Sequence, residues 1–233
     1  MPIFKAINRK LSHLKNFNKL QISYSQEGED LLIDRILQFK KTGFYIDVGA
    51  YHPIKYSNTY KFYLKGWKGI NIDAMPGSMD VFKRIRPRDI NLEIPISNTS
   101  EIIPYHIFNE QGLNTLLESE AKKKDGLRGY KLLRIENLKT KRLDEILIEH
   151  MPKGIDVDFL TVDVEGFDLK VLQSNDWKKI RPNLVLAENL SSYDGIEAAL
   201  KSELNQFMSS LNYTLFAKTG NTLFFNDNTK KLI

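Results

Sequence analysis

The stretch Phe44-Tyr45-Ile46-Asp47-Val48-Gly49-Ala50 decides the fold. A run this short and apolar, with an acid near its end, reads as a strand buried on both faces. Gly49 closes it, where a tight turn and a close backbone approach need a residue without a side chain. Working outward, strands and helices alternate. Asn58–Leu64 is a short helix closed by Gly66, Lys68–Asp73 the next strand, and Met79–Ile85 the next helix. Ile90–Ser97 and Ile103–Phe108 read as two further strands, and a polar segment, 109–130, then interrupts the pattern. Leu132–Leu138 resumes as a strand and Leu143–Ile148 as a helix, and Val157–Asp163 and Asn183–Glu188 are apolar runs ending in acids. Ile196–Leu211 has the spacing of one long amphipathic helix, and Tyr213–Ala217 with Thr222–Phe225 form a closing hairpin. The expected architecture is α/β: a Rossmann-like, doubly wound sheet, mostly parallel, with an antiparallel strand from the C-terminal hairpin. Helices precede it, one at Glu29–Lys40 and helical spacing over residues 1–20. The expected organisation is a single domain, with 1–42 as an N-terminal helical extension and 43–233 as the core.

Composition narrows the classes. The 233 residues are 42% hydrophobic and 27% charged, ordinary values for a globular chain. No run of about 18 apolar residues suggests a membrane span, and Lys5, Arg9, Lys10 and Lys15 interrupt any signal-peptide core. Cysteine is absent, which excludes disulfides, thiolate zinc sites and cysteine nucleophiles and fits a cytoplasmic setting. The net charge of +5 is spread among acids, so a solvated mixed surface is expected and no nucleic-acid partner. Residues 1–20 carry Ile3, Ile7, Leu11, Leu14 and Phe17 between basic residues. That segment admits three readings: contact with a membrane surface, packing on its own domain, or pairing with another chain as a homo-oligomer.

Ligands of open α/β sheets bind beyond the C-terminal strand ends. Four expected strands carry acids there: Asp47, Asp73, Asp163 and Glu188. One such acid is usually a turn former; four on one rim suit a ligand with hydroxyls and a cationic centre, such as a ribose and a sulfonium. The G-x-G-x-x-G fingerprint is missing, since the chain continues Gly49-Ala50-Tyr51-His52-Pro53, so a pyrophosphate dinucleotide is disfavoured. Asp73 lies 24 residues after Gly49, where an acid commonly grips ribose hydroxyls. The helix start near Ser57-Asn58-Thr59 offers unpaired amides to a carboxylate.

The ordered set of Tyr24-Ser25-Gln26-Glu27-Gly28-Glu29-Asp30, the Phe44–Ala50 run, Ser57-Asn58-Thr59, Gly66-Trp67-Lys68-Gly69-Ile70, Asn114-Thr115, Leu143-Asp144-Glu145, Asp158–Gly166, Arg181-Pro182 and Glu188 resembles the FkbM family of S-adenosylmethionine-dependent methyltransferases. The resemblance implies a class I methyltransferase fold and O-methylation, at a hydroxyl or a phosphate-type oxygen, of sugars, surface-polysaccharide precursors, small phosphorylated precursors of their decoration or similar small metabolites. It implies that Asp47, Gly49, Ala50 and the adjoining Tyr51 line the cofactor turn. Asp73 with Ala74 would hold the ribose, Gln26, Ser57 and Asn58 would lie near the methionine end, and Ser97 would flank the adenine. The second strand departs from the family, ending Asp73-Ala74-Met75-Pro76 where Glu-Pro is more usual.

Methyl transfer to a hydroxyl benefits from a base or from a metal that acidifies the hydroxyl. Asp163 is the first candidate, as base or metal ligand, with Glu188 as its partner around a divalent ion. Glu165 is either a second catalytic acid or a cap of the following helix, and His52 either an acid–base group or a loop histidine. The 109–130 insertion is either an acceptor lid, whose loss should impair the acceptor more than the cofactor, or a solvated excursion. Two other functions stay open at this level: a non-catalytic adenosyl-ligand binder or assembly subunit, and a nucleotide-dependent oxidoreductase.

Overall fold

A computed structural model describes residues 21–190 and 195–230. Seven strands form the main sheet: β1 (Phe44–Val48), β2 (Lys68–Asp73), β3 (Ile90–Glu93), β6 (Phe159–Val162), β7 (Leu184–Glu188), β8 (Tyr213–Thr219) and β9 (Thr222–Asp227). Their order is β3-β2-β1-β6-β7-β9-β8. The first five pair in parallel, and β9 enters antiparallel between β7 and β8. The order reverses at β1, so the crevice beyond the strand ends opens between β1 and β6.

Alternation along each central strand sorts its side chains to two cores. Phe44, Ile46, Val48, Leu160, Val162, Val185 and Ala187 point to one face, where α5 (Leu143–His150), α6 (Asp168–Gln173) and α8 (Glu203–Ser210) cover them. Tyr45, Phe159, Leu184, Leu186 and Phe224 point to the other, against Trp67, Phe62 of α2 (Tyr60–Leu64) and Ile33 of α1 (Glu29–Ile36). Helix α1 therefore belongs to one of the layers covering the sheet. The expected helical segment over residues 1–20 lies outside the described residues.

Two expectations change. Ile103–Phe108 and Leu132–Leu138 do not join the main sheet: β4 (Ile102–Phe108) and β5 (Leu132–Lys139) pair with each other as a separate antiparallel ribbon. The excursion thus spans both strands and includes α4 (Glu118–Lys124). Alternating apolar residues are the same signal in either sheet, and the sequence carries no mark of which partner a strand takes. The expected long helix Ile196–Leu211 is broken into α7 (Ile196–Lys201) and α8, because Ser202 is extended at ψ 148° and its Oγ accepts from the Asn205 N–H (3.1 Å). A serine offering its oxygen to backbone amides favours a helix start over a helix interior. Among the described residues, no helix is long and apolar enough to cross a membrane.

One buried polar network ties the β1 layer together. Arg86, fully buried after α3 (Met79–Ile85), donates through Nε to Asp89 Oδ2 (2.8 Å), through Nη2 to the Tyr45 hydroxyl (2.8 Å) and through Nη1 to Thr59 Oγ1 (3.0 Å). Removing the guanidinium leaves the Asp89 carboxylate buried without its counter-charge, which typically costs ~3–5 kcal/mol. Arg86→Ala should lose stability of that order in urea unfolding, whereas Lys83→Ala, which breaks an exposed pair with Asp80, should lose less than about 1 kcal/mol.

Candidate functional site

The ends of β1, β2, β6 and β7 surround a cavity of about 430 Å³, closed on one side by the β4–β5 excursion. Gly49 makes it possible. Its φ is +85°, and a Cβ there would stand 1.7 Å from the Asp163 carbonyl oxygen, so the β1 and β6 turns touch through backbone alone.

Asp73 sits at the cavity wall with both oxygens aimed by backbone: Oδ2 accepts from the Tyr51 N–H and Oδ1 from the Met75 N–H, each at 2.8 Å. A carboxylate oxygen has lone pairs beyond one bond, so Asp73 retains acceptor capacity for a vicinal diol. Burial pushes its carboxyl pKa above the usual range. Tyr51, next to it, is held at φ +52°.

On the opposite wall stand Asp163, Glu165 and Glu188, each offering one carboxylate oxygen within 4.8 Å of the others. Asp163 is exposed to the open cavity, with protein packed against the rest of its carboxyl. Desolvation by that surrounding protein, reinforced by the carboxylates of Glu165 and Asp47, pushes its pKa up to about 7. Glu188 is raised further by burial and by Asp163, Glu165 and Asp168, and its Oε2 is buried without a hydrogen-bond partner among the described residues. Lys124 of α4 donates to Glu165 Oε2 at 2.5 Å. Glu165, at φ +54°, also accepts from the Thr115 hydroxyl through its carbonyl (2.9 Å). It does not cap α6; the first residue of that helix, Asp168, accepts the Gly166 N–H and the Glu188 N–H instead.

Of the candidates named from the sequence, Gln26, Gly49, Tyr51, Asn58, Asp73, Ala74, Asp163, Glu165 and Glu188 line the cavity together. Five others stand away from its wall. Asp47 lies beneath the turn, where its Oδ2 accepts from the Thr59 hydroxyl (2.7 Å), and Ala50 packs with Met79 and Phe82. Ser57, two residues ahead of the Thr59 N-cap of α2, accepts the Thr59 and Tyr60 amides (3.3 and 3.1 Å), so those amides are spent within the chain. His52 Nδ1 accepts from the Ile54 and Lys55 amides (3.1 and 3.0 Å), and partial burial and Lys55 lower its pKa. Its imidazole serves the turn as a neutral acceptor. Ser97 is 1% exposed, with its N–H on the Lys141 carbonyl; Ile94-Pro95-Ile96 form the wall there. Sequence reasoning passed over Tyr105 and Met75, which line the cavity, and Lys124, which holds Glu165, and gave no role to Asn114, which lines the cavity too. The pair Asn114-Thr115 stood out as a motif, but nothing local tells which strand ends it will meet.

Burial raises the Asp47 pKa to about 6, against the lowering effects of Thr59 and Arg86. A carboxyl whose folded pKa exceeds its unfolded value of 3.8 favours the fold most below that value, and the benefit is lost as pH rises through 6. Asp47→Asn keeps an acceptor for Thr59 without the charge. Its stability relative to the native chain should therefore improve by up to about 3 kcal/mol between pH 4 and pH 8, read from paired urea titrations.

Comparison with known proteins adds a family. Residues 47–215, from Asp47 in β1 to Leu215 in β8, match the profile described as the methyltransferase FkbM domain. No curated protein matches the chain. With most of its length covered by that match, and a parallel sheet closed by one antiparallel strand, the chain belongs to the FkbM methyltransferase family.

Proposed function

We propose that the protein uses S-adenosylmethionine to methylate a hydroxyl of a neutral small acceptor, a sugar or surface-polysaccharide precursor by family likeness, with Asp163 as the general base. The observation that carries this reading is that Asp73 at the end of β2 and Asp163 after β6 line one cavity on either side of the β1 turn. The donor supplies an electrophilic methyl group on a sulfonium.

Charge supports a cationic donor. Glu27, Glu29, Asp73, Glu110, Asp163, Glu165 and Glu188 line the cavity against Lys55 as its one cationic lining residue among those described. The ionised members of this set attract a sulfonium and disfavour a phosphorylated acceptor, Glu188, the most strongly raised, and Glu165, paired with Lys124, contributing least. Asp73, aimed by two backbone amides, has the acceptor capacity for ribose hydroxyls. A base with a pKa near 7 is ionised enough at neutral pH to take a hydroxyl proton and basic enough to hold it.

Three carboxylate oxygens also have the hard-donor chemistry of a Mg²⁺ or Ca²⁺ site, which would supply Lewis acidity at the hydroxyl. Lys124 already neutralises Glu165, leaving Asp163 and Glu188 to such an ion; this favours the base reading. The lack of cysteine fits a reaction in the cytoplasm.

Asp163→Asn should lower turnover about 10²- to 10⁴-fold while leaving affinity for S-adenosylhomocysteine within a few-fold. In the native enzyme, kcat/KM should fall as pH drops below about 7, because the base must be unprotonated. Full turnover by Asp163→Asn would sink the assignment. Exhaustive chelation with EDTA should leave activity intact; loss reversed by Mg²⁺ would assign Asp163 to an ion instead.

A further inference from the structure

The β4–β5 ribbon is two strands wide, and so narrow a sheet gains stability from any further strand. Beyond β5 no strand follows among the described residues. The ladder shows which groups that edge presents. The Thr140 N–H donates to the Glu101 carbonyl (2.8 Å), and bonded residues alternate along an antiparallel pair. With Ile102 opposite Lys139, the residues of β5 that bond β4 are therefore Leu138, Glu136 and Arg134. The N–H and C=O of Ile135, Asn137 and Lys139 point to the outer edge. Past the end of β5 that edge is taken: the Lys141 N–H bonds the Pro95 carbonyl, and the Lys141 carbonyl the Ser97 N–H (both 3.0 Å).

Native proteins usually blunt a free edge with a proline, a bulge or unopposed charge. The main-sheet edge β8 carries its bulge in mid-strand, between Leu215 and Ala217. In β5 the irregularity falls at the start, opposite Phe108, and Arg134–Lys139 run in unbroken register without proline. The surroundings are apolar. Leu133 and Ile135 are 58% and 53% exposed, and register sets Ile135 on one face with Pro104 and Ile102, itself 69% exposed. The strand's charges alternate in sign about Ile135: Arg134 on one side and Glu136 on the other, bonded to each other through Nε and Oε1 at 2.6 Å.

We propose that this edge is the interface between two copies of the chain, β5 pairing antiparallel with β5 of the second copy across a two-fold axis at Ile135. A two-fold axis makes the same patch meet itself, so the patch has to be self-complementary. Pairing about Ile135 meets that condition. It sets the outward N–H and C=O of each Ile135 against those of the other, and Arg134 of each copy against Glu136 of its mate. Arg134 and Glu136 would form the non-hydrogen-bonded pairs, whose Cα atoms approach to about 4.5 Å and whose side chains interact most closely. A register shifted by one pair either way would set arginine against arginine or glutamate against glutamate. The two ribbons become one four-stranded sheet. Tyr105, which lines the cavity, stands opposite Glu136 in the ribbon, so the axis runs beside the third wall of each cavity.

Sedimentation equilibrium of the whole chain, without ligand, tests this with two charge reversals. The native protein should dimerise at micromolar concentration. Arg134→Glu and Glu136→Arg, each alone, place like charges in both cross-strand pairs and should weaken dimerisation at least about tenfold. An equimolar mixture of the two variants should dimerise within a few-fold of the native protein, because each chain then meets the opposite charge at both positions. That rescue also shows that the variants are folded. A native chain that stays monomeric overturns the proposal. A dimer that neither reversal weakens has its interface elsewhere, such as residues 1–20, and overturns it too. Weakening in both variants without recovery in the mixture overturns the two-fold register.

Discussion

Where β1 ends, the chain passes so close to β6 that any side chain at position 49 would collide with the Asp163 carbonyl oxygen, because a Cβ there would lie only 1.7 Å from it. The Asp163 N–H bonds the Val48 carbonyl in the same place (2.9 Å), and the Gly49 N–H bonds that of Ile72 (2.9 Å). Three strand ends are thereby locked edge to edge before any ligand arrives. The crevice between them inherits its shape from backbone, which moves less readily than side chains, and this is the preorganisation that positioning catalysis needs.

That same closeness concentrates charge. Strands of one direction finish together, so acids that are far apart in the chain share one small space. Asp163, Glu165 and Glu188 crowd one another and their pKa values are all raised, while Lys124 answers only part of the charge. A folded protein accepts such crowding at some cost in stability. The cost falls on groups facing the cavity and on Asp47 beneath them, whose pKa burial also raises. Asp47, one layer below, instead has a hydroxyl partner in Thr59 and the Arg86 guanidinium close behind it. Asp47 thus has partners inside the fold that offset part of its burial, whereas Asp163, Glu165 and Glu188 have Lys124 alone among the described cations.

Much of this was legible in the residues. The acid-tipped runs ending at Asp73, Asp163 and Glu188, and the glycine after Val48, already placed the crevice, because strand polarity and a missing Cβ are local properties. The closing hairpin was legible for the same reason. What could not be read was pairing choice. Ile103–Phe108 alternates as well as any core strand, yet pairs with β5 away from the main sheet. Ser97 follows an apolar run as a rim residue should, yet Lys141 ties down its amide and buries it. His52 has the chemistry of an acid–base residue but spends its lone pair on two turn amides. In each case a distant or neighbouring backbone group decides the outcome, and single-residue chemistry does not encode it.

The excursion shows how such distant bonds convert a polar insertion into a working wall. It reaches each of the three rim turns: Tyr51 donates to Glu110 after β1 (3.2 Å), Asn114 to Met75 after β2, and Thr115 and Lys124 to Glu165 after β6. Two of the turn residues it holds, Tyr51 and Glu165, sit at positive φ, a conformation that costs a non-glycine residue of order 1 kcal/mol or more. Strain of this kind persists only where surrounding bonds over-determine it. A loose flap could not supply those bonds, because each would have to be remade at every closure. The bonds to Glu165 in particular reach the wall that carries Asp163, so the position of the excursion bears on the electrostatics around Asp163. The β4–β5 ribbon thus forms a third side of the cavity, bonded to each of these turns, with Gln26 and Tyr56 lining the same space from outside the excursion.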